Sequence, residues 1–375
     1  MTGSASAPRG AAVALADFEK LARAVLPDDV WDFVAGGSGA ETTLAANRAA
    51  LDSIAVYPRV LPGGPAEAAV ELFGTPATMP VAIAPMAYQR LLHPDGELAM
   101  AAAAAAVGVP LAVSTLSSVA LEDVAKSGAE LWFQLYWVRD RELLVRLVER
   151  AEAAGCRALM VTVDLPVMGR RLRDVRNTFY LPPEVIAANL ADGAVSAAHQ
   201  AGAGRSAVAA HTADMIGPAL GWADLEWLLA RTGLPLVLKG ILDPDDAWQA
   251  VSLGAAGIVV SNHGGRQFDG APASVDALPA VVEAVAGACP VLLDSGIRGG
   301  TDALRALALG ASGVLVGRPL LWALAAGGAA GVTEALELLR LELTDALTLA
   351  GCRTPAAAGR LRTGRQPAGR TEGRR

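Results

Sequence analysis

The pattern of apolar and polar positions changes character near residue 62. Before it the periodicity is helical: Ala16 to Leu26 carries an apolar stripe, and Val30-Trp31 and Phe33-Val34 precede Gly36-Gly37, a glycine pair that predicts a helix stop. Ser38-Gly39-Ala40-Glu41 has the spacing of a capping box and leads into Leu44 and Leu51, two turns apart on one helical face. After Pro62-Gly63-Gly64-Pro65, eight short apolar runs follow, each ending in polar or glycine residues. They are Val81–Pro85, Leu111–Thr115, Leu131–Tyr136, Ala158–Asp164, Leu234–Gly240, Gly257–Asn262, Pro290–Gly296 and Gly313–Pro319. Most are apolar on both faces, as parallel strands covered by helices must be, and their spacing leaves room for a helix between neighbours.

The stretch Leu253-Gly254-Ala255-Ala256-Gly257-Ile258-Val259-Val260 recurs 56 residues later as Leu309-Gly310-Ala311-Ser312-Gly313-Val314-Leu315-Val316, an offset of two β/α units. In each copy the first glycine closes a helix and the valines start the next strand. Eight such units predict an α/β fold closed as a (β/α)8 TIM barrel, preceded by a helical N-terminal extension. An open doubly wound sheet usually has fewer strands and a glycine-rich first turn, and no G-x-G-x-x-G follows the first run here. The predicted organisation is a helical cap over 1–75, the barrel over 76–350 with a mobile loop at about 172–220, and a basic, unstructured tail over 351–375.

Composition narrows the class. The chain has 375 residues, 53% hydrophobic and only 18% charged, with a mean hydropathy of +0.38, enough apolar surface for a large core. The longest uncharged stretch, Leu98 to Leu121, begins as alanine, is interrupted by Gly108 and Pro110, and turns rich in Ser and Thr, so no membrane association is expected. The start, MTGSASAPRG, lacks the apolar run of a signal peptide, and a soluble, cytoplasmic protein is the expectation. Cys156, Cys289 and Cys352 are too scattered for a disulfide framework or metal cluster. Net charge is −7, with +6 in residues 351–375 (seven Arg, Glu372), leaving −13 on the body (−7 − 6). So acidic a body argues against nucleic acid as a partner.

In a (β/α)8 barrel the active site forms where the strands end. Those ends deliver Ser114, Gln134, Tyr136, Thr162, Asp164, Lys239, Asn262, His263, Asp294, Arg298 and Arg318 to one mouth. Lys239, one of three lysines against 28 arginines, ends an otherwise apolar strand, where an ammonium needs a carboxylate partner or an anionic ligand. Ser261-Asn262-His263-Gly264-Gly265-Arg266 pairs a histidine suited to proton abstraction with an arginine suited to a carboxylate, and Asp164 could hold the imidazole. His93, His199 and His211 lack such a context and are read as structural. Asp294-Ser295-Gly296-Ile297-Arg298-Gly299-Gly300 and Gly317-Arg318-Pro319 end the last two strands, where barrels commonly bind phosphate. The residues therefore describe a barrel holding a phosphorylated cofactor, with a His base, an anion-stabilising Lys and carboxylate-binding Arg.

That constellation resembles the FMN-dependent 2-hydroxy-acid oxidase and dehydrogenase family, which includes glycolate oxidase, lactate oxidase and mandelate dehydrogenase. The resemblance runs from about Asp17 to Cys352 and rests on Asn47, Ala84-Pro85, Gln134-Leu135-Tyr136, Thr162-Val163-Asp164, Gly169-Arg170-Arg171, Lys239-Gly240, the Ser261–Arg266 run, Asp294-Ser295-Gly296 and Gly317-Arg318-Pro319. Trp31 to Leu51 and Ala84-Pro85-Met86-Ala87-Tyr88-Gln89-Arg90 look most like its 4-hydroxymandelate oxidase branch. The resemblance implies FMN as cofactor, with His263 as base, Asp164 as its partner and Lys239 stabilising charge on the reduced flavin. It implies Arg171 and Arg266 for the substrate carboxylate and Tyr136 for its hydroxyl. Ala84, Pro85, Ala87, Ser114, Gln134, Thr162 and Ser261 would serve the flavin, and Asp294, Gly296, Arg298, Gly317 and Arg318 its ribityl phosphate end. No metal is implied.

Three positions depart from the family pattern. Phe33 stands where many members have a carboxylate-binding Tyr, Ser295 replaces a common Gly, and Leu116 stands where glycolate oxidase has a Trp. Leu116 and Met86 imply a roomy apolar pocket for an aryl substrate such as mandelate. Ala87, where weakly oxygen-reactive members have Gly, implies O2 as electron acceptor and H2O2 as product; family members are commonly homotetramers. A short-chain lactate or glycolate oxidase, a monooxygenase that decarboxylates the product, and a flavin-binding scaffold without turnover are the competing readings.

Overall fold

A computed structural model describes residues 12–190, 217 and 220–366 of the chain. The N-terminal segment folds as α1 (Leu15–Val25), α2 (Asp28–Ala35) and α3 (Thr42–Ser53), then strand β1 (Ile54–Tyr57) and a hairpin of β2 (Val70–Leu72) and β3 (Thr75–Ala77). Helix α2 stops at Gly36, as the glycine pair predicts. The capping box does not form. Glu41 itself sits at the helix start in a left-handed conformation (φ 64°), its side chain accepts from the Gly37 N–H, and the Ser38 hydroxyl turns to the Gly265 carbonyl. A long-range partner outcompetes the local one, because Ser38 is pressed against the loop that carries Gly265.

All eight apolar runs become barrel strands: β4 (Val81–Ile83), β5 (Leu111–Ser114), β6 (Leu131–Leu135), β7 (Ala158–Thr162), β8 (Leu236–Ile241), β9 (Gly257–Val260), β10 (Val291–Leu293) and β11 (Gly313–Val316). Their parallel pairing closes when β11 meets β4, with Val314 opposite Val81. Side chains alternate between two packed faces. Ala82, Ala112, Met160, Val237, Val259 and Leu315 fill the interior, and their neighbours pack outward on the helices. The hairpin stoppers one end of that interior, where Phe73 packs on Trp132 (5.1 Å between ring centroids) and the Trp132 indole donates to Thr75 (3.0 Å). At Gly257 a Cβ would meet Phe73 at 2.0 Å, so this strand must begin with glycine.

The surrounding helices are α4 (Gly96–Val107), α5 (Leu121–Ala125), α6 (Arg141–Ala153), α7 (Leu172–Arg176), α8 (Trp222–Leu229), α9 (Pro244–Leu253), α10 (Ser274–Val285), α11 (Gly300–Ala308), α12 (Arg318–Leu349) and α13 (Pro355–Ala358). The internal echo corresponds to repeated helix ends: Gly254 (φ 96°) and Gly310 (φ 101°) turn out of α9 and α11 into β9 and β11. Among the described residues, only α12 is long and apolar enough to cross a membrane. It is broken at Gly327-Gly328 and packs against α1 and α4, and Leu320, Trp322, Leu336, Leu339, Leu343 and Leu347 are buried, which identifies a core helix. Trp31 stacks on Trp322 (4.4 Å), docking the N-terminal cap on this helix.

The C-terminal expectation needs correction. Through residue 366 the basic tail is folded: Pro355 and Ala358 of α13 and Leu361 are buried, and β12 (Arg362–Arg365) pairs antiparallel with β1. A strand is stabilised by backbone hydrogen bonds that arginine side chains do not prevent, and Arg365 adds bonds to the Ala50 carbonyl (3.1 Å) and the Ser53 hydroxyl (2.7 Å) and an ion pair with Asp276. The expected mobile loop lies mostly outside the described residues. Its first part, to Leu190, is folded, with Phe179, Leu181, Val185 and Leu190 buried.

Candidate active site

The cavity opens at the C-terminal ends of the barrel strands. Adjacent strands place Ser114 beside Gln134 and Thr162 beside Lys239. The Ser114 hydroxyl donates to the Gln134 side-chain carbonyl (3.1 Å), whose amide donates on to Thr162 (3.0 Å). This chain of neutral donors and acceptors ends beside the Lys239 ammonium, which is buried against Asp294 (2.8 Å) and donates to Ser261 (2.8 Å). Burial alone would lower the Lys239 pKa, but Asp294 and then Asp164 hold it above its ordinary value. Of the two partners open at the sequence level, a carboxylate is present. Asp294, expected at the phosphate end, is the counterion of Lys239, and its second oxygen accepts from Ser295 (2.8 Å).

Next to Lys239, Gly240 takes φ 111° at a bulge in β8, and a Cβ there would lie 2.6 Å from the Asp164 side chain. That close approach lets Asp164 sit under the imidazole: His263 Nδ1 is 3.0 Å from Asp164 Oδ1, and His263 Nε2 is 3.5 Å from the Tyr136 hydroxyl. His263 is itself at φ 59°, steadied by its N–H donating to Ser261 (3.0 Å). Burial favours a neutral Asp164, yet the adjacent His263, with Lys239 beyond, holds its pKa below the usual carboxylate value. Burial, followed by the Asp164 charge, pushes Tyr136 up to about 12, so the phenol stays protonated.

A cluster of guanidinium groups lines the same cavity: Arg171, Arg266, Arg298 and Arg318. The C-terminal end of α2 helps hold it. Arg266 donates to the carbonyls of Val34 (3.2 Å) and Gly36 (2.8 Å), and Arg318 to the carbonyls of Val34 (2.9 Å), Gly36 (3.0 Å) and Gly264 (3.0 Å). Carbonyls at a helix C-terminus carry partial negative charge, which suits two half-buried cations. Phe33, in the same helix, lies under both Arg171 (5.7 Å to the ring centroid) and Arg266 (5.5 Å) and stacks on Phe179 (4.6 Å). Where a tyrosine would offer a hydroxyl, this ring offers its face. Burial lowers the pKa of all four arginines, and repulsion adds to it: from Arg171 and Arg318 for Arg266, from Arg298 and Arg171 for Arg318, and from Arg48 for Arg298. Asp174, buried beside Arg171 and with one unpaired oxygen, partly offsets this charge.

Most residues singled out in the sequence therefore meet at this cavity, including Ala84, Pro85, Met86, Ala87, Leu116 and Gly317. Gln134, Asp164 and Ser261 sit behind its wall as partners of residues that form it. Asn47 is outside it, exchanging amide hydrogen bonds with Asn262 (2.9 and 2.7 Å) and so tying α3 to the His263 loop. Ser295 takes φ 75° and both accepts from Gly264 N–H (2.9 Å) and donates to Asp294, bonds a glycine could not make. His93 lies away from the cavity against Gly328, and His199 and His211 lie outside the described residues. Sequence reading missed Leu165, Met168 and Tyr88 in the wall, and Asp174 behind it. Leu165 and Met168 lie one and four residues beyond Asp164 at a strand end, a positional signal that was available; Tyr88 stood only within a run resembling one branch of the family, and nothing local marked Asp174.

The family model described as FMN-dependent dehydrogenase matches residues 22–363. The chain is 55% identical to 4-hydroxymandelate oxidase of Amycolatopsis orientalis, covering 94% of this chain and 98% of that protein. It is 50% identical to an L-lactate oxidase of a Nostoc species (90% and 94% covered) and 44% identical to human 2-hydroxyacid oxidase 1 (91% and 93%). A crystal structure of mandelate oxidase with (S)-4-hydroxymandelic acid superposes with a TM-score of 0.92 at 55% identity, covering 94% of this chain and 99% of that one.

Proposed function

The chain belongs to the FMN-dependent dehydrogenase family and oxidises a 2-hydroxy acid with FMN; from that premise we propose that its substrate is an aryl (S)-2-hydroxy acid of the mandelate type, converted to the 2-oxo acid with O2 as acceptor. The observation that carries this reading is one cavity in which a carboxylate-backed imidazole and four arginines share the wall with an apolar surface of Met86, Leu116, Leu165 and Met168.

The donor set fits FMN. Arg298 and Arg318, half-buried with Arg298 repelling Arg318, would gain from a phosphate dianion, and Gly296 and Gly317 line the cavity beside them. Ala84, Ser114 and Thr162 with Gln134 behind them would offer the neutral partners an isoalloxazine needs, and the Lys239 ammonium would supply the fixed cation that stabilises charge on the reduced flavin. FMN, when bound, accepts the two electrons released as the alcohol becomes a ketone.

The remaining work falls to side chains. Arg171 and Arg266 bind the substrate carboxylate, held in place by Phe33 and the α2 carbonyls. Tyr136 donates to the substrate hydroxyl, which places the reacting carbon near His263 Nε2. His263 takes up a proton at Nε2 as oxidation begins, and Asp164, held ionised, stabilises the imidazolium through Nδ1. Ala87 in the cavity wall is in keeping with an oxidase that yields H2O2. Exposed Trp248, Phe268 and Leu349 are in keeping with association of several copies, four by resemblance to the family.

Anaerobic mixing with (S)-mandelate, lactate and glycolate tests the reading. Flavin bleaching should be fastest with mandelate and should reverse on admitting air, with stoichiometric H2O2 and 2-oxo acid. Faster bleaching by glycolate would refute the aryl assignment. Failure to bleach with any 2-hydroxy acid would leave only a flavin-binding role, and benzoate in place of benzoylformate would identify a decarboxylating monooxygenase.

A further inference from the structure

Ser295 sits in a conformation that glycine would adopt with less strain. Its φ of 75° lies in the left-handed region, which a residue with a Cβ enters reluctantly. What serine offers there and glycine lacks is a hydroxyl, and both of its hydrogen-bonding roles are taken. The Ser295 Oγ accepts from the Gly264 N–H (2.9 Å) and donates to Asp294 Oδ1 (2.8 Å). The other carboxylate oxygen, Asp294 Oδ2, meets the Lys239 ammonium at 2.8 Å. On the lysine side of the pair, Ser261 Oγ accepts from Lys239 (2.8 Å) and from the His263 N–H (3.0 Å). Each member of the ion pair is thus tied through one serine hydroxyl to one of two successive N–H groups in the histidine loop. The Ser274 hydroxyl, donating to the Asp294 carbonyl (2.5 Å), fixes the strand end that carries both Asp294 and Ser295. Lys239, Asp294 and Ser295 are buried and line the cavity.

Lys239 stabilises negative charge in the cavity only so far as Asp294 does not cancel its own. A hydroxyl donating to Oδ1 draws carboxylate charge away from the ammonium and turns the positive end of its dipole toward Asp294. In a dry site both effects leave Lys239 a stronger cation. We propose that Ser295 is a positioning residue that keeps Asp294 from neutralising Lys239, and so sets how strongly that ammonium stabilises the reduced flavin. The proposal rests on the placement of Lys239 at the flavin given above. It adds the group that tunes this cation, and it gives the positive φ of Ser295 a reason.

Sulfite tests this without turnover. It adds to oxidised flavin and leaves a negative charge on the ring, so its dissociation constant reports how well the site stabilises that charge. The wild type, Ser295→Gly, Ser295→Ala and Lys239→Met are titrated with sulfite in excess FMN at one fixed pH, following the loss of flavin absorbance. Both Ser295 variants remove the hydroxyl, but only glycine also relieves the positive φ. An effect common to both therefore belongs to the hydroxyl and not to strain. Each should weaken sulfite binding about three- to tenfold and lower the flavin midpoint potential, with Lys239→Met weaker still. Unchanged or tighter sulfite binding in Ser295→Gly, with Lys239→Met weakened, overturns the proposal and reduces Ser295 to a support for the loop. Weakening in Ser295→Ala alone assigns the effect to the backbone and overturns it too. Unchanged binding in Lys239→Met refutes the placement of that cation at the flavin and takes this proposal with it. Should Ser295→Ala misfold, Ser295→Gly carries the comparison by itself, since glycine accepts this φ.

Discussion

The buried pair of Lys239 and Asp294 offers the sharpest quantitative test. The ammonium and carboxylate lie 2.8 Å apart with side chains 5% and 9% exposed. At an effective dielectric constant of about 20 their attraction is about 6 kcal/mol, much of it offset by desolvation. Lys239→Met removes the cation but leaves Asp294 buried and takes a donor from Ser261. Losing one member of such a pair costs about 3–5 kcal/mol. Lys239→Met/Asp294→Asn removes both charges and should recover at least about 2 kcal/mol of that loss. Urea denaturation of the flavin-free proteins measures both, free of ligand linkage.

The pH dependence has a definite sign. Because the folded-state pKa of Lys239 is raised above 10.5, its stabilisation is present below that pH and lost only as pH rises through the folded value. The gap between wild type and Lys239→Met should therefore be constant from about pH 7 to 9 and narrow only in stronger alkali. If the double variant is as unstable as the single one, the charges are not coupled and the reasoning fails. If it regains stability, flavin reduction should still be slower by about 10²–10³, since the fixed cation is gone.

Three further substitutions address the rest of the cavity. His263→Asn should lower kcat/KM by about 10²–10⁴ with bound flavin retained, and a smaller effect in steady-state assays would remove His263 from the role of base. Arg266→Met should raise KM for the 2-hydroxy acid about 10- to 100-fold with a smaller change in kcat, because it deletes one charge-assisted contact to the carboxylate. Gly240→Ala would place a Cβ 2.6 Å from the Asp164 side chain at φ 111°. The strain should cost about 1–3 kcal/mol in thermal unfolding and depress kcat by displacing Asp164; wild-type kcat would show that Asp164 need not be so close.

Much of the fold was legible because it follows from local chemistry. Strands buried on both faces must be apolar throughout, so eight such runs marked eight strands, and glycines marked where helices turn into strands at Gly254 and Gly310. Polar residues ending those runs could be assigned to one mouth, because closing a barrel brings every strand end to the same side. The C-terminal strand was hidden, since Arg362–Arg365 has no apolar alternation and forms only because β1 offers it an unpaired edge. The failed capping box has the same origin: a loop more than 200 residues away competes for Ser38.

Residue type by itself determined which chemistry could be done here: an imidazole, an ammonium at the end of an apolar strand, and arginines among glycines. Only the tertiary structure decided how each group is charged and held. Asp294 could be read as a phosphate-end residue until it stood 2.8 Å from Lys239, and Phe33 as a lost hydroxyl until it lay beneath two guanidinium groups. Tyr88 stood in the sequence only within a run resembling one branch of the family, and its buried, unpartnered hydroxyl is visible only in the fold. Counterions, stacking and unpaired groups depend on which distant residues share a small, dry volume, and the linear order of residues does not specify that.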